Sequence, residues 1–168
     1  MIYRTVNKVL FLLILVSNIS LADGFMDDFF MSITLGDAGA IRQFLARGVD
    51  ANVMDANGNT ALIVAAREGQ NTVLLTLHKH GAKLNTKNQF GESALMLAAL
   101  NGHTGVVNTL LGLGADTGAN HRGWTPMMYA AFSGHSEIVQ NLLRARSDVN
   151  GATANGTTAL MLASKGGH

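Results

Sequence analysis

The sequence predicts an all-α solenoid of helix–turn–helix units, stacked side by side and joined by β-hairpin-like loops. Three observations carry this. A cluster Gly-x-Thr/Ser-(Ala/Pro)-(Leu/Met) recurs at Gly58, Gly91, Gly123 and Gly156, in steps of 33, 32 and 33 residues. A second glycine follows each cluster, at Gly69, Gly102, Gly134 and Gly167. Counting back 33 from Gly69 reaches Gly36, inside LGDAGAIRQFL, a fainter copy. Between the glycines, apolar residues recur with the period of a helix. Self-similarity at this spacing marks supersecondary units that bury their apolar faces against one another, not one closed globule.

The first residues read as an address. Met1 to Lys8 carry two positive charges, Val9 to Val16 is a continuous apolar run, and Ser20-Leu21-Ala22 places small residues at −3 and −1 of a cut after Ala22. The charge-free stretch from Val9 to Ala22 is 14 residues, short of the roughly 20 that a spanning helix needs. The alternative is an uncleaved anchor. The expected division is a signal peptide over 1–22 and a repeat domain over 23–168. Its units run approximately over 25–57, 58–90, 91–122, 123–155 and, in part, 156–168.

Within the unit at Gly91, Ser93 is placed to cap a helix, because its hydroxyl accepts from an orphan first-turn amide. Thr60, Thr125 and Thr158 hold the same place, and Pro126 follows at the first helical position, where its missing N–H costs nothing. The run ALMLAAL makes a short inner helix, with Ala98 and Ala99 allowing close approach, and Gly102 ends it. His103 and Thr104 open an outer helix striped by Val106, Val107, Leu110 and Leu111, and Gly114 ends that one. The same stripe recurs as Val73, Leu74, Leu77, as Ile138, Val139, Leu142, Leu143, and as Ile41, Phe44, Leu45. Neither helix is long enough to stand alone in water, so the interfaces between units hold the array together.

These residues closely resemble the ankyrin repeat family. GWTPMMYAAFSGHSEIVQNLL, from Gly123, matches the family pattern Gly-x-Thr-Pro-Leu-His-x-Ala-Ala-x-x-Gly-His-x-x-Val-Val-x-x-Leu-Leu. GVD at 48, GAK at 81 and GAD at 114 match the segment before each hairpin. The resemblance spans roughly Phe25 to His168 and implies a curved solenoid with a concave recognition face. There are departures. Ile63, Met96, Met128 and Met161 replace the family histidine. Arg146 stands where Gly48, Gly81 and Gly114 occupy a left-handed cap, at an expected cost of order 1 kcal/mol. The loop after Gly114 is one residue short. The fifth unit is a half, so its inner helix should expose a face that a neighbour would cover. A fragment of a longer chain is the favoured explanation, and a fraying last helix is the other.

Several chemistries are disfavoured. The chain has no cysteine, hence no disulfide, thiolate metal site or cysteine nucleophile. Without Arg4 and Lys8 the 12 basic and 11 acidic residues become 10 and 11. No basic stripe appears, which argues against nucleic acid. There is no Gly-x-Ser-x-Gly elbow, phosphate-binding glycine loop or His-Glu-x-x-His. His103, His135 and His168 are equivalent positions in successive units, too far apart to share a zinc ion; they are expected to open outer helices and satisfy turn backbone. His78 and His80 point to different sides of a helix, His78 as a half-buried core residue. Asp27 and Asp28 favour the start of the first helix rather than acting as a catalytic pair. Asn155-Gly156-Thr157 reads as a turn before it reads as a glycosylation site. Ile63, Met96, Met128 and Met161 read as a core row before a copper or oxidant site. No cofactor, metal or catalytic residue is expected.

Aromatic placement is more informative. Trp124 has polar equivalents at Asn59, Glu92 and Thr157, which predicts that it faces water. Leu100 and Phe132, equivalent to Arg67 and Lys165, are expected to be exposed at the end of the inner helix, and Phe90 lies at a hairpin tip. Phe90, Leu100, Arg122, Trp124 and Phe132 are therefore the candidate partner-binding residues, since exposed aromatics with arginine are typical hot-spot material. The competing view is that Trp124 and Phe90 only brace a hairpin. The first functional expectation is a non-catalytic exported module, periplasmic and monomeric alone, that binds and stabilises or regulates a protein partner through its concave face and hairpin tips. The resemblance to periplasmic bacterial ankyrin proteins implies that companion role. The alternatives are a secreted effector binding host proteins, and an enzyme or metal protein.

Overall fold

A computed structural model of the chain describes residues 24–118, 120 and 122–168; the expected leader lies outside them. Among the described residues there are nine helices and no β-strand. They are α1 (24–34), α2 (Ala38–Ala46), α3 (Ala61–Arg67), α4 (Asn71–Lys79), α5 (Ala94–Leu100), α6 (Thr104–Gly112), α7 (Pro126–Phe132), α8 (Ser136–Arg144) and α9 (Ala159–Gly166). None is long and apolar enough to cross a membrane. The short helices α3, α5, α7 and α9 pack in sequence order as an inner layer, and α2, α4, α6 and α8 form the outer layer behind them.

Each inner helix begins at the hydroxyl residue expected to cap it. The side-chain oxygens of Thr60, Ser93, Thr125 and Thr158 accept from the amides of Ile63, Met96, Met128 and Met161. Pro126 sits at the start of α7. The alanines of the inner helices, Ala65, Ala66, Ala98, Ala99, Ala130 and Ala131, are buried, which lets neighbouring backbones approach. Val73, Leu74, Leu77, Val106, Val107, Leu110, Ile138 and Leu142 fill the space between layers. Antiparallel bridges Met54–Thr60, Lys87–Ser93 and Ala152–Thr158 close the hairpin-like loops. Turns at 51–52, 84–85 and 149–150 have no counterpart at 115–118, where the connection is one residue short.

The histidines form a ladder. His103 Nε2 donates to the carbonyl of Arg67 (2.9 Å) and His135 Nε2 to that of Leu100 (3.1 Å). Gln70 Nε2 does the same for Thr34 (2.8 Å). The residues that open α4, α6 and α8 thus reach back one unit to carbonyls at the ends of α1, α3 and α5. The rings lie over a glycine, and a Cβ added at Gly69 or Gly102 would sit 2.7 Å from the His103 or His135 ring. This accounts for the Gly-His pairs. His168 stacks over Gly134 in the same way. His78 is half-buried, and His80 Nδ1 bonds the carbonyl of Thr76. Among the described residues no group of three His, Asp or Glu gathers as metal ligands would. Asp27 and Asp28 are exposed in the first part of α1, and Asn155 lies in a turn.

Arg146 has φ +59°, the left-handed backbone that Gly48, Gly81 and Gly114 adopt at the equivalent place. The methionine row needs correction at one end. Ile63, Met96 and Met128 are buried, but Met161 is 58% exposed. Leu160, Leu143 and Val149 are exposed beside it, because no described helix covers α8 and α9 on that side. Leu160 and Val149 line an apolar depression of about 360 Å³ walled by α7, α8 and α9.

Candidate functional site: an aromatic groove across the middle units

The hairpin tips are built alike by a residue type that the repeat pattern does not flag. The side chain of Asp55 accepts from the amides of Asn57 and Asn59, that of Asn88 from Phe90 and Glu92, and that of Asn120 from Arg122 and Trp124. Thr153 accepts from Thr157. One short polar side chain thus closes each tip, as Asx turns do. It also fixes the direction of the residues two and four positions on. In the two central loops those residues are Phe90 and Glu92, then Arg122 and Trp124.

Helix α7 supplies the remaining wall. Tyr129 and Phe132 are three residues apart and so share a face. Trp124 packs against both, with ring centroids 5.1 Å from Tyr129 and 6.0 Å from Phe132, the latter edge-on at 76°. Phe90, Glu92, Asn120, Arg122, Trp124, Tyr129 and Phe132 together line one depression of about 300 Å³. Phe90 and Phe132 are each 52% exposed.

The polar floor is organised. Tyr129 donates its hydroxyl to Glu92 Oε1 (2.9 Å), and Asn88 Nδ2 donates to Glu92 Oε2 (3.1 Å). Burial first, then the hydrogen bond and charge of Glu92, push the Tyr129 phenol well above its usual 10.0. Tyr129 therefore stays protonated, and a donor to Glu92, at neutral pH. Behind them Asn88 Nδ2 also reaches Asn59 Oδ1 (2.9 Å), tying one tip to the next.

Four of the five candidate residues, Phe90, Arg122, Trp124 and Phe132, come together here. Leu100 does not: it is half-buried against the core and lies outside the depression. Arg67, its equivalent, is itself half-buried, so a charged residue in this column does not mark an exposed position. Trp124 is likewise half-buried rather than water-facing. One of its polar equivalents, Asn59, is itself buried, held by Asp55 and Asn88. The rings against Trp124 are those of Tyr129 and Phe132, so the wall is not a Phe90–Trp124 brace. Sequence reasoning missed Glu92, Asn120 and Tyr129. A period of 33, 32 and 33 residues linking Asp55, Asn88, Asn120 and Thr153 is the signal that exposes the turn residues.

Groove and tips lie on the inner-helix side of the solenoid and offer ring faces, one carboxylate and one guanidinium, a surface for holding a ligand. A family model for ankyrin repeats matches residues 29–121 and 114–168. No match is found among curated protein sequences. Ankyrin repeats are generally protein–protein interaction modules and typically non-catalytic. With well over half of its length matched, this chain belongs to the ankyrin repeat family.

Proposed function

We propose that the chain is a non-catalytic binding module exported to the cell envelope, where it holds, and so stabilises or regulates, a protein partner. The observation that carries the reading is the convergence of Phe90, Arg122, Trp124 and Phe132 on one groove open to solvent. Aromatic and arginine side chains in a concave patch are the residues that dominate binding energy elsewhere. Export rests on the layout of residues 1–22, and periplasmic residence is the form of export favoured. The module acts as a monomer.

Two measurements test this. Affinity capture from an envelope extract with the double variant Trp124→Ala, Phe132→Ala should lose the partner that the parent chain retains; full retention eliminates the groove as the site. Fractionation with N-terminal sequencing should find a periplasmic chain beginning at Asp23. A chain that keeps Met1, or one found only in the medium, rejects the periplasmic assignment.

A further inference from the structure

The groove has a chemical preference that a generic contact patch lacks. Three of its walls are rings, Trp124 packing against both Tyr129 and Phe132, and Phe90 lines the same depression. Ring faces carry negative electrostatic potential, and a cation within about 6 Å of a centroid is attracted to them. Centroids 5.1 and 6.0 Å apart let one cation seated on Trp124 reach a second ring. At the floor lies Glu92, whose two oxygens are held by neutral donors, the Tyr129 hydroxyl and the Asn88 amide. Among the described residues the ion pair formed is Arg67–Glu68, so these neighbours orient the Glu92 charge without neutralising it. Arg122 is exposed at the rim, and its charge acts on the Tyr129 hydroxyl less than that of Glu92 does.

We infer that the groove is a cation pocket that receives the ammonium or guanidinium group of a lysine or arginine side chain projecting from the bound protein. This rests on the protein-binding reading above. Glu92 supplies the counter-charge, Trp124, Tyr129 and Phe132 replace the water the cation sheds, and Tyr129 and Asn88 fix the carboxylate. Arg122 opposes the ligand's charge and limits affinity for free cations, so that contacts elsewhere along the partner are needed for tight binding.

Trp124 is the chain's single tryptophan, so its fluorescence and indole N–H resonance report on this pocket alone. The mature chain is titrated with choline and with its uncharged carbon isostere 3,3-dimethylbutan-1-ol. It is also titrated with acetylated tripeptide amides, Gly-X-Gly, in which X is lysine, arginine or norleucine. Choline should bind about fivefold more tightly than the isostere, and lysine or arginine peptides about fivefold more tightly than norleucine. Glu92→Gln, which keeps the side-chain shape and one acceptor oxygen but not the charge, should erase both differences, while Arg122→Ala should strengthen cation binding about twofold or more. Equal binding of charged and neutral probes overturns the proposal, as does weaker cation binding by Arg122→Ala. If choline discriminates but the peptides do not, the side-chain assignment falls. Loss of captured partner in Trp124→Ala, Phe132→Ala without any cation preference would retain the binding groove and reject only its cation chemistry. Thermal melts of each variant confirm that the fold persists.

Discussion

Arg146→Gly should stabilise the protein, and the structure supplies the magnitude. Arg146 holds φ +59°, and its equivalents Gly48, Gly81 and Gly114 hold 96°, 89° and 84°. A left-handed backbone costs an L-residue about 1–2 kcal/mol. Replacing it by glycine recovers that strain but adds about 0.5–1 kcal/mol of unfolded-chain entropy. The net gain is about 0.5–1 kcal/mol. It is read as a rise of roughly 0.3–0.5 M in the urea midpoint at unchanged slope, or of about 2–3 °C in melting temperature. A Cβ at Gly81 or Gly114 would meet nothing within 4 Å, so this position is purely conformational. Gly81→Ala should therefore cost about 1 kcal/mol. Gly102 differs: a Cβ there lies 2.7 Å from the His135 ring and displaces it from the Leu100 carbonyl. Gly102→Ala should cost about 2 kcal/mol, the second half being the lost hydrogen bond. A lower midpoint for Arg146→Gly, or equal losses at Gly81 and Gly102, would refute the reasoning.

His135→Ala should destabilise by about 1 kcal/mol, and His135→Gln should recover most of it in the same urea series, because Gln70 already makes the equivalent bond to Thr34. Thr125→Ala removes the cap of α7 and should cost about 1 kcal/mol, seen as a lower melting temperature with unchanged far-UV circular dichroism at 25 °C. In a chain beginning at Asp23, Tyr129 is the one tyrosine. Its raised folded pKa means the protonated phenol stabilises the fold fully below pH 10.0 and loses that contribution as pH climbs above it. Phenolate absorbance should therefore lag behind that of a free tyrosine and appear as the fold is lost, and Glu92→Gln should move its onset to lower pH. Leu160→Gln should change stability by less than about 0.5 kcal/mol, since Leu160 is 79% exposed, while Leu162→Ala at 7% should cost roughly 2 kcal/mol or more.

The array was legible because its rules are local. Thr60, Ser93, Thr125 and Thr158 cap by reaching three residues ahead, and Arg146 betrays its left-handed backbone simply by standing in a column of glycines. That the histidines of the Gly-His pairs open outer helices and serve turn backbone is also local. The bond across units, from His135 to Leu100, needs the stacking distance that no single repeat contains. The groove was half visible for the same reason. Phe90, Trp124 and Phe132 stand out as aromatics in polar columns. Tyr129 occupies an apolar column, with Val64, Leu97 and Leu162 as equivalents, and reads as core until its hydroxyl is seen on Glu92. Asp55, Asn88, Asn120 and Thr153 share one task under three residue names, which hides them from a search for identical letters. Leu100 shows that a column does not set exposure by itself, since it and Arg67 are half-buried where Phe132 and Lys165 are exposed.

The groove draws Phe90 and Glu92 from one hairpin tip, and Arg122 and Trp124, with Tyr129 and Phe132 of α7, from the next. In a stack where each unit touches only its neighbours, the seams are the weak places. A ligand seated there crosses the seam between two tips and works as a splint. Occupancy would then be felt as stiffness along the whole spine, and amides remote from the ligand would exchange more slowly with solvent.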